Sequence, residues 1–138
     1  MKQKQVKLLH WLNTGIFPAN IVFSCGFGYD EIMKLLKQKK ADNWHEGLLH
    51  DKSLIDGGGW FALSRTVEKK EGAYVHLYYI ILKYDFEFTD YDYCRLAHEV
   101  LHICQFMLPD ILNRDREYEC EAYLHTHIMQ QCLKALRG

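Results

Sequence analysis

The most restrictive feature of this sequence is a helical, largely apolar segment around residues 96–108. Two stripes recur in it at intervals of three and four residues: Leu96, Val100, Ile103 and Met107, and beside them Leu101, Cys104 and Leu108. A helix that is apolar over so much of its surface has to pack against other elements. The chain is therefore predicted to fold around it, and its two histidines are expected to point into the molecule.

These histidines belong to the motif His98-Glu99-Val100-Leu101-His102. Residues four apart on a helix lie one above the other, so both imidazoles can reach one metal ion. Glu99 lies ~100° further round the helix and can act as general base on a metal-bound water. Zinc prefers imidazole and carboxylate ligands, and a catalytic site keeps one position open. The motif predicts one Zn²⁺ per chain; the alternative is a helix with two surface histidines and an unrelated glutamate.

A third ligand is expected from the last predicted helix, where Glu117, Glu119 and Glu121 alternate along the chain. Residues two apart are separated by ~200°, so Glu119 cannot share a face with the other two. The apolar residues of this helix favour an inward face nearer Glu117 or Glu121. These residues are Cys120, Leu124, Ile128 and Cys132. The small Ala122, one turn after Glu119, instead suits two helices that approach closely there. Periodicity leaves this choice open, and a solvated acidic helix start would also explain the cluster.

The rest of the pattern predicts an α+β fold. Strands are predicted at residues 21–24, 60–67 and 74–83, with the last two forming a hairpin. Helices are predicted at residues 29–40, from Thr89 or Asp90 to about Met107 with Pro109 ending it, and at 114–136. Residues 43–59, which include three consecutive glycines, are predicted to be a loop. A small N-terminal sheet with one helix is thus followed by two long helices.

Composition favours one soluble domain spanning residues 1–138, because 49% of the residues are hydrophobic and 25% are charged. A net charge of −1 gives no general attraction to nucleic acid or to an anionic membrane. The longest apolar run covers residues 77–82, far short of a membrane span, and no secretory signal is expected. Five cysteines without a CxxC pair indicate reduced thiols and a cytoplasmic location.

The motif His98-Glu99-x-x-His102, followed by Glu119-x-x-Ala122-Tyr123, resembles the gluzincin pattern of zinc metallopeptidases. The segment from Glu119 to Leu124, with strands before the HExxH helix, is similar to small metallopeptidases encoded by phages and mobile elements. The resemblance covers about residues 73–130. It implies a zincin-like fold in which His98, His102 and Glu119 bind zinc and Glu99 is the catalytic base.

The resemblance also raises questions about individual residues. Tyr123 stands where gluzincins often have an aspartate that orients a ligand, and its hydroxyl is a candidate for that role. His127 is a candidate for stabilising an oxyanion, or else a partly exposed helical histidine. Cys94, one turn before His98, is expected to be a buried thiol and not a ligand. An edge strand, either 60–67 or 74–83, would accept a peptide as an added strand, or both are interior.

Zinc-dependent hydrolysis of a peptide or protein is therefore the expected function. A catalytically inactive zinc-binding interaction domain of a phage or mobile element is the alternative, and its metal would have a closed set of four ligands. A metal-free structural protein with an accidental HExxH motif is the third possibility, and it would bind no zinc.

Overall fold

The computed structural model describes residues 5–13, 20–38, 52–57, 60–68, 74–111 and 118–138. Its strands are β1 (Leu8–Asn13), β2 (Asn20–Cys25), β3 (Trp60–Glu68) and β4 (Tyr74–Leu82). Its helices are α1 (Tyr29–Gln38), α2 (Lys52–Gly57), α3 (Asp90–Ile111) and α4 (Tyr118–Arg137). The predicted α+β class is confirmed, as are the three predicted strands and the two long helices.

The described strands form a mixed sheet in the order β1-β2-β4-β3. β2 pairs in parallel with β4, while β1 and β3 run antiparallel to their single neighbours. The hairpin of β3 and β4 is therefore confirmed. Of the two candidates for an edge strand, β3 lies at an edge and β4 is interior. β1, the other edge, was not predicted.

Both faces of the sheet are covered, because successive side chains of its central strands point to opposite sides. On one face, Ile21 and Phe23 pack with apolar residues of the two long helices, which include Leu96, Val100, Leu124 and Ile128. On the other face, Val22 packs with residues of the two shorter helices, namely Tyr29, Ile32, Leu36 and Ile55. The central strands are accordingly apolar without alternation, as expected of a sheet buried on both sides.

Helix α2 lies inside the segment that was predicted to be a loop, so that prediction is wrong for residues 52–57. Ile55 is buried against the sheet, and the Asp56 carboxylate accepts a hydrogen bond from the backbone N–H of Tyr29 at 3.1 Å. This contact ties α2 to the first turn of α1. A helix of six residues with one buried apolar side chain has no helical periodicity in its sequence, and the three glycines that begin at its last residue favour a loop. The remainder of the predicted loop lies outside the described residues.

Helix α3 begins at a cap that the sequence indicated. The Thr89 hydroxyl accepts a hydrogen bond from the backbone N–H of Asp92 at 3.1 Å. The carboxylate of Asp92 in turn accepts one from the N–H of Glu87 at 2.7 Å. The helix continues past Pro109 to Ile111, so the predicted end was wrong. A proline in the last turn removes one N–H donor, and here the helix persists for two more residues.

The two long helices run antiparallel. The Nε2 atom of His125 on α4 lies 3.4 Å from the backbone oxygen of Ala97 on α3. Phe88, just before α3, lines one surface cavity together with Ala135 and Leu136 at the far end of α4. The start of α3 therefore lies beside the end of α4. Within the described residues, no helix is both long and apolar enough to cross a membrane.

Candidate metal centre

Helix α3 buries one face and leaves the opposite face accessible. The stripe of Leu96, Val100, Ile103 and Met107 is fully buried, as predicted. The second stripe is not uniformly buried, since Leu101 is 42% exposed. His98 is exposed and His102 half-buried, so the expectation that both histidines point into the core is wrong. The sheet and α4 cover the first stripe, and the histidines lie on the outward side of α3, next to the flank where His125 of α4 contacts Ala97.

The two histidines converge on one point in space. Their Nε2 atoms are 3.1 Å apart, and the rings meet edge to face with centroids separated by 4.7 Å. Two nitrogens bound to one tetrahedral zinc at ~2.1 Å would be roughly 3.4 Å apart. The observed pair is close to that arrangement, so the imidazoles fit the ion as two neighbouring ligands.

The side chain of Gln105 supports one of these imidazoles from behind. Its Oε1 atom lies 3.0 Å from Nδ1 of His102, so Nδ1 donates this hydrogen bond and Nε2 keeps its lone pair. Phe106 stacks against the same ring with a centroid distance of 6.3 Å and an interplanar angle of 18°. These contacts fix the tautomer and orientation that a metal ligand requires.

Glu99 lies beside the histidines but points toward the interior, and only 4% of its surface is exposed. Burial raises the pKa of this carboxyl above its usual value, while the nearby charges of His98, His102 and Arg95 pull it back. A general base works best when its pKa approaches the working pH. The environment of Glu99 shifts it in that direction.

The predicted third ligands lie beyond the side chains that can be assessed. Glu119 and Glu121 belong to the first turn of α4, but their side chains are outside the described part, and Glu117 is outside it altogether. Among the described side chains, no group of three or more His, Cys, Asp or Glu is placed to hold a metal ion. The described residues thus supply two ligands of a candidate site, His98 and His102.

The other candidate residues have different surroundings. Tyr123 is 70% exposed on α4. His127 is half-buried, and its Nε2 atom is buried without a hydrogen-bond partner in the described parts of the chain. Cys94 is exposed, so the expectation of a buried thiol is wrong; it lies on the same outward face of α3 as His98.

Sequence reasoning missed three polar residues near this site. Gln105 follows His102 by three residues, a spacing at which helical side chains meet. Arg95 precedes Glu99 by four residues and was not considered. His125 was not considered either, and it contacts the backbone of α3 next to His98. The first two could have been found from helical spacing alone.

Comparisons with known proteins add nothing to this geometry. No protein-family model, no curated protein and no solved structure matches the chain.

Proposed function

We propose that this protein is a zinc-dependent metallopeptidase with a zincin-like arrangement, in which His98 and His102 bind the metal and Glu99 is the general base. The observation that carries the proposal is the convergence of two imidazole Nε2 atoms, 3.1 Å apart, beside a buried carboxyl. The hydrogen bond from Nδ1 of His102 to Gln105 adds support, because it leaves Nε2 of His102 with the lone pair that a metal ligand requires.

The position of α3 relative to the sheet supports a peptide as substrate. Helix α3 packs against β3, which is an edge strand with backbone groups on its outer side. An extended peptide can pair with such an edge as an added strand. It would then run alongside the helix that carries the two histidines. We therefore propose a zincin-like arrangement, in which the substrate lies between the edge strand β3 and the helix that binds the metal.

The third ligand is proposed to come from the first turn of α4, and helix register favours one candidate. Glu121 precedes His125 by four residues, so the two positions share a face of α4. His125 contacts Ala97, and the helices are antiparallel. Four residues back along α4 therefore correspond to about four residues forward along α3. By this register the Glu121 position is about level with Leu101, next to His102.

The resemblance to gluzincins assigns the role to Glu119 instead. That position shares its helical face with Tyr123 and Thr126, which follow it by four and seven residues and are both exposed. A ligand there has to reach the metal from the solvent side of α4. Both glutamates are retained as candidates, and separate substitutions distinguish them.

The chemistry assigned to the chain's own residues is proton transfer. A bound zinc ion would polarise the carbonyl of the scissile peptide bond and lower the pKa of a water molecule. Glu99 would accept the proton of that water and later deliver it to the leaving amine. Its buried position excludes competing water, and its raised pKa matches this double role. Gln105 holds His102 in the ligand orientation.

The substitution Glu99→Gln tests this proposal. The neutral amide cannot accept the proton, so turnover of a verified peptide substrate should fall about 10²- to 10⁴-fold, while zinc content stays unchanged. Asp90→Asn removes the same charge from an exposed position in the first turn of α3, and it should leave turnover unchanged. A Glu99→Gln variant of undiminished activity would contradict the mechanism. Bound zinc without turnover in the parent protein would favour the interaction domain.

A further inference from the structure

Arg95 lies one helical turn before the candidate metal centre. It precedes Glu99 by four residues and His102 by seven, so the three share one side of α3. The side chain is half-buried, and its guanidinium carbon lies 5.6 Å from the centre of the Tyr91 ring. The Tyr91 side chain is exposed, whereas the Nε atom of Arg95 is buried.

This guanidinium has no committed anionic partner in the described structure. Its Nε atom is buried without a hydrogen-bond partner, and no described side chain forms an ion pair with it. The nearest acidic residue before it in sequence, Asp92, already accepts a hydrogen bond from the N–H of Glu87. Burial raises the pKa of Glu99, and the positive charge of Arg95, with those of His98 and His102, offsets part of that rise. A half-buried donor group left unpaired is unfavourable, and an incoming anion would relieve it.

Resting on the proposed function, we propose that Arg95 is a specificity residue that binds a carboxylate of the peptide substrate. Its planar guanidinium can donate two parallel hydrogen bonds to a carboxylate, a match that an amide or hydroxyl does not make. Tyr91 supports one face of that plane. The carboxylate comes either from an Asp or Glu side chain or from the C-terminus of the peptide.

The distance along the helix defines where that carboxylate lies. Arg95 and Glu99 are four residues apart, which is ~6 Å along the axis. An extended peptide advances ~3.3 Å per residue. The bound carboxylate is therefore within about two or three residues of the bond that Glu99 acts on, once the length of the arginine side chain is included.

Three peptides of the same core sequence test the inference with the zinc-loaded full chain. One is neutral with an amidated C-terminus, one carries a single glutamate and an amidated C-terminus, and one is neutral with a free C-terminus. We expect one carboxylate peptide to be cleaved with a kcat/KM about 10- to 100-fold above the neutral one. Which of the two is preferred identifies the source of the carboxylate.

Variants of Arg95 show whether this preference depends on the guanidinium. Arg95→Gln should abolish the preference for the carboxylate peptide over the neutral one, and Arg95→Glu should shift the preference to a lysine-containing peptide. Arg137→Gln, at the exposed end of α4, is the matched control and should change nothing. An equal loss on all peptides, with a shifted pH profile, would mean that Arg95 only positions Glu99 and would overturn the inference.

A binding measurement separates this inference from the proposed function. The Nε–H signal of Arg95 in the ¹⁵N-labelled protein, assigned by its loss in Arg95→Lys, should shift on titration with a carboxylate peptide and not with the neutral one. A shift without any cleavage would support the carboxylate site and contradict the peptidase. Cleavage without a shift or a preference would overturn the carboxylate site and leave the peptidase intact.

Discussion

The two faces of α3 differ in the burial and in the chemistry of their side chains. The inward face consists of apolar side chains that are fully buried against the sheet and α4, among them Ile103. The outward face presents His98, Cys94 and Leu101 to solvent. Glu99 lies at the boundary, where burial shifts the pKa of its carboxyl. One helix thus anchors the fold with one side and holds the candidate chemistry on the other, so substitutions on the two faces should have separable effects.

The largest effect on stability is expected from the inward face. Ile103→Ala removes a fully buried side chain and should lower the free energy of unfolding by about 2–5 kcal/mol, because a cavity remains in the core. Leu101→Ala is the matched control two residues away, and it should change that free energy by less than about 0.5 kcal/mol. Urea unfolding monitored by circular dichroism measures both. Equal losses in the two variants would contradict the division of α3 into two faces.

A smaller effect, on zinc affinity, is expected from Gln105, which contacts one of the two histidines. Gln105→Ala removes the acceptor for Nδ1 of His102 and should weaken zinc binding about 10- to 100-fold, because the imidazole is no longer held in its ligand orientation. Competition with a chromogenic chelator measures this affinity. Cys94→Ala, on the same face one turn before His98, should leave it unchanged. A strong loss in the Cys94 variant would instead make that thiol a ligand.

The smallest effect concerns the boundary residue. Burial raises the pKa of Glu99 in the folded, metal-free protein, so the native state holds this proton more tightly than the unfolded chain does. Stability from this residue is therefore lost as the pH rises from the unfolded pKa through the folded one. Glu99→Gln stays neutral, so its melting temperature should exceed that of the parent at pH 7 with EDTA present.

The same difference should vanish near pH 4, where the parent carboxyl is protonated as well. Melting curves of both proteins between pH 4 and pH 8 test this. A difference that is independent of pH would mean that packing of the amide, and not ionisation of Glu99, changes the stability.

The sequence predicted those strands and helices that have strong local patterns of apolar residues. The β-rich segments predicted three strands and their hairpin, and the stripe through Val100 predicted α3. Thr89 and Asp90 were both candidates for its cap, and Thr89 is the one observed. The sequence did not predict the parallel pairing of β2 with β4 or the edge strand β1. Pairing partners are distant in sequence, and β1 mixes apolar residues with His10 without a clear alternation.

The sequence predicted that His98 and His102 lie together, but not the face of α3 on which they lie. A helical wheel of α3 shows two apolar stripes, and nothing in the pattern tells which one meets the sheet. Leu101 proved to be exposed, and the histidines lie on its side of the helix. Tertiary packing decides this, because the sheet and α4 bury the stripe through Val100 and leave Leu101 exposed. The choice between Glu119 and Glu121 remained open in the sequence for the same reason.

The central claim is that His98 and His102 hold one zinc ion with a glutamate of α4. Metal content of the purified chain, measured by mass spectrometry beside His98→Ala, Glu119→Ala and Glu121→Ala, tests it most directly. The account predicts about one zinc per parent chain, loss in His98→Ala, and loss in one of the two glutamate variants, with the helix register favouring Glu121. A parent chain that binds no zinc even after zinc is added would contradict the account.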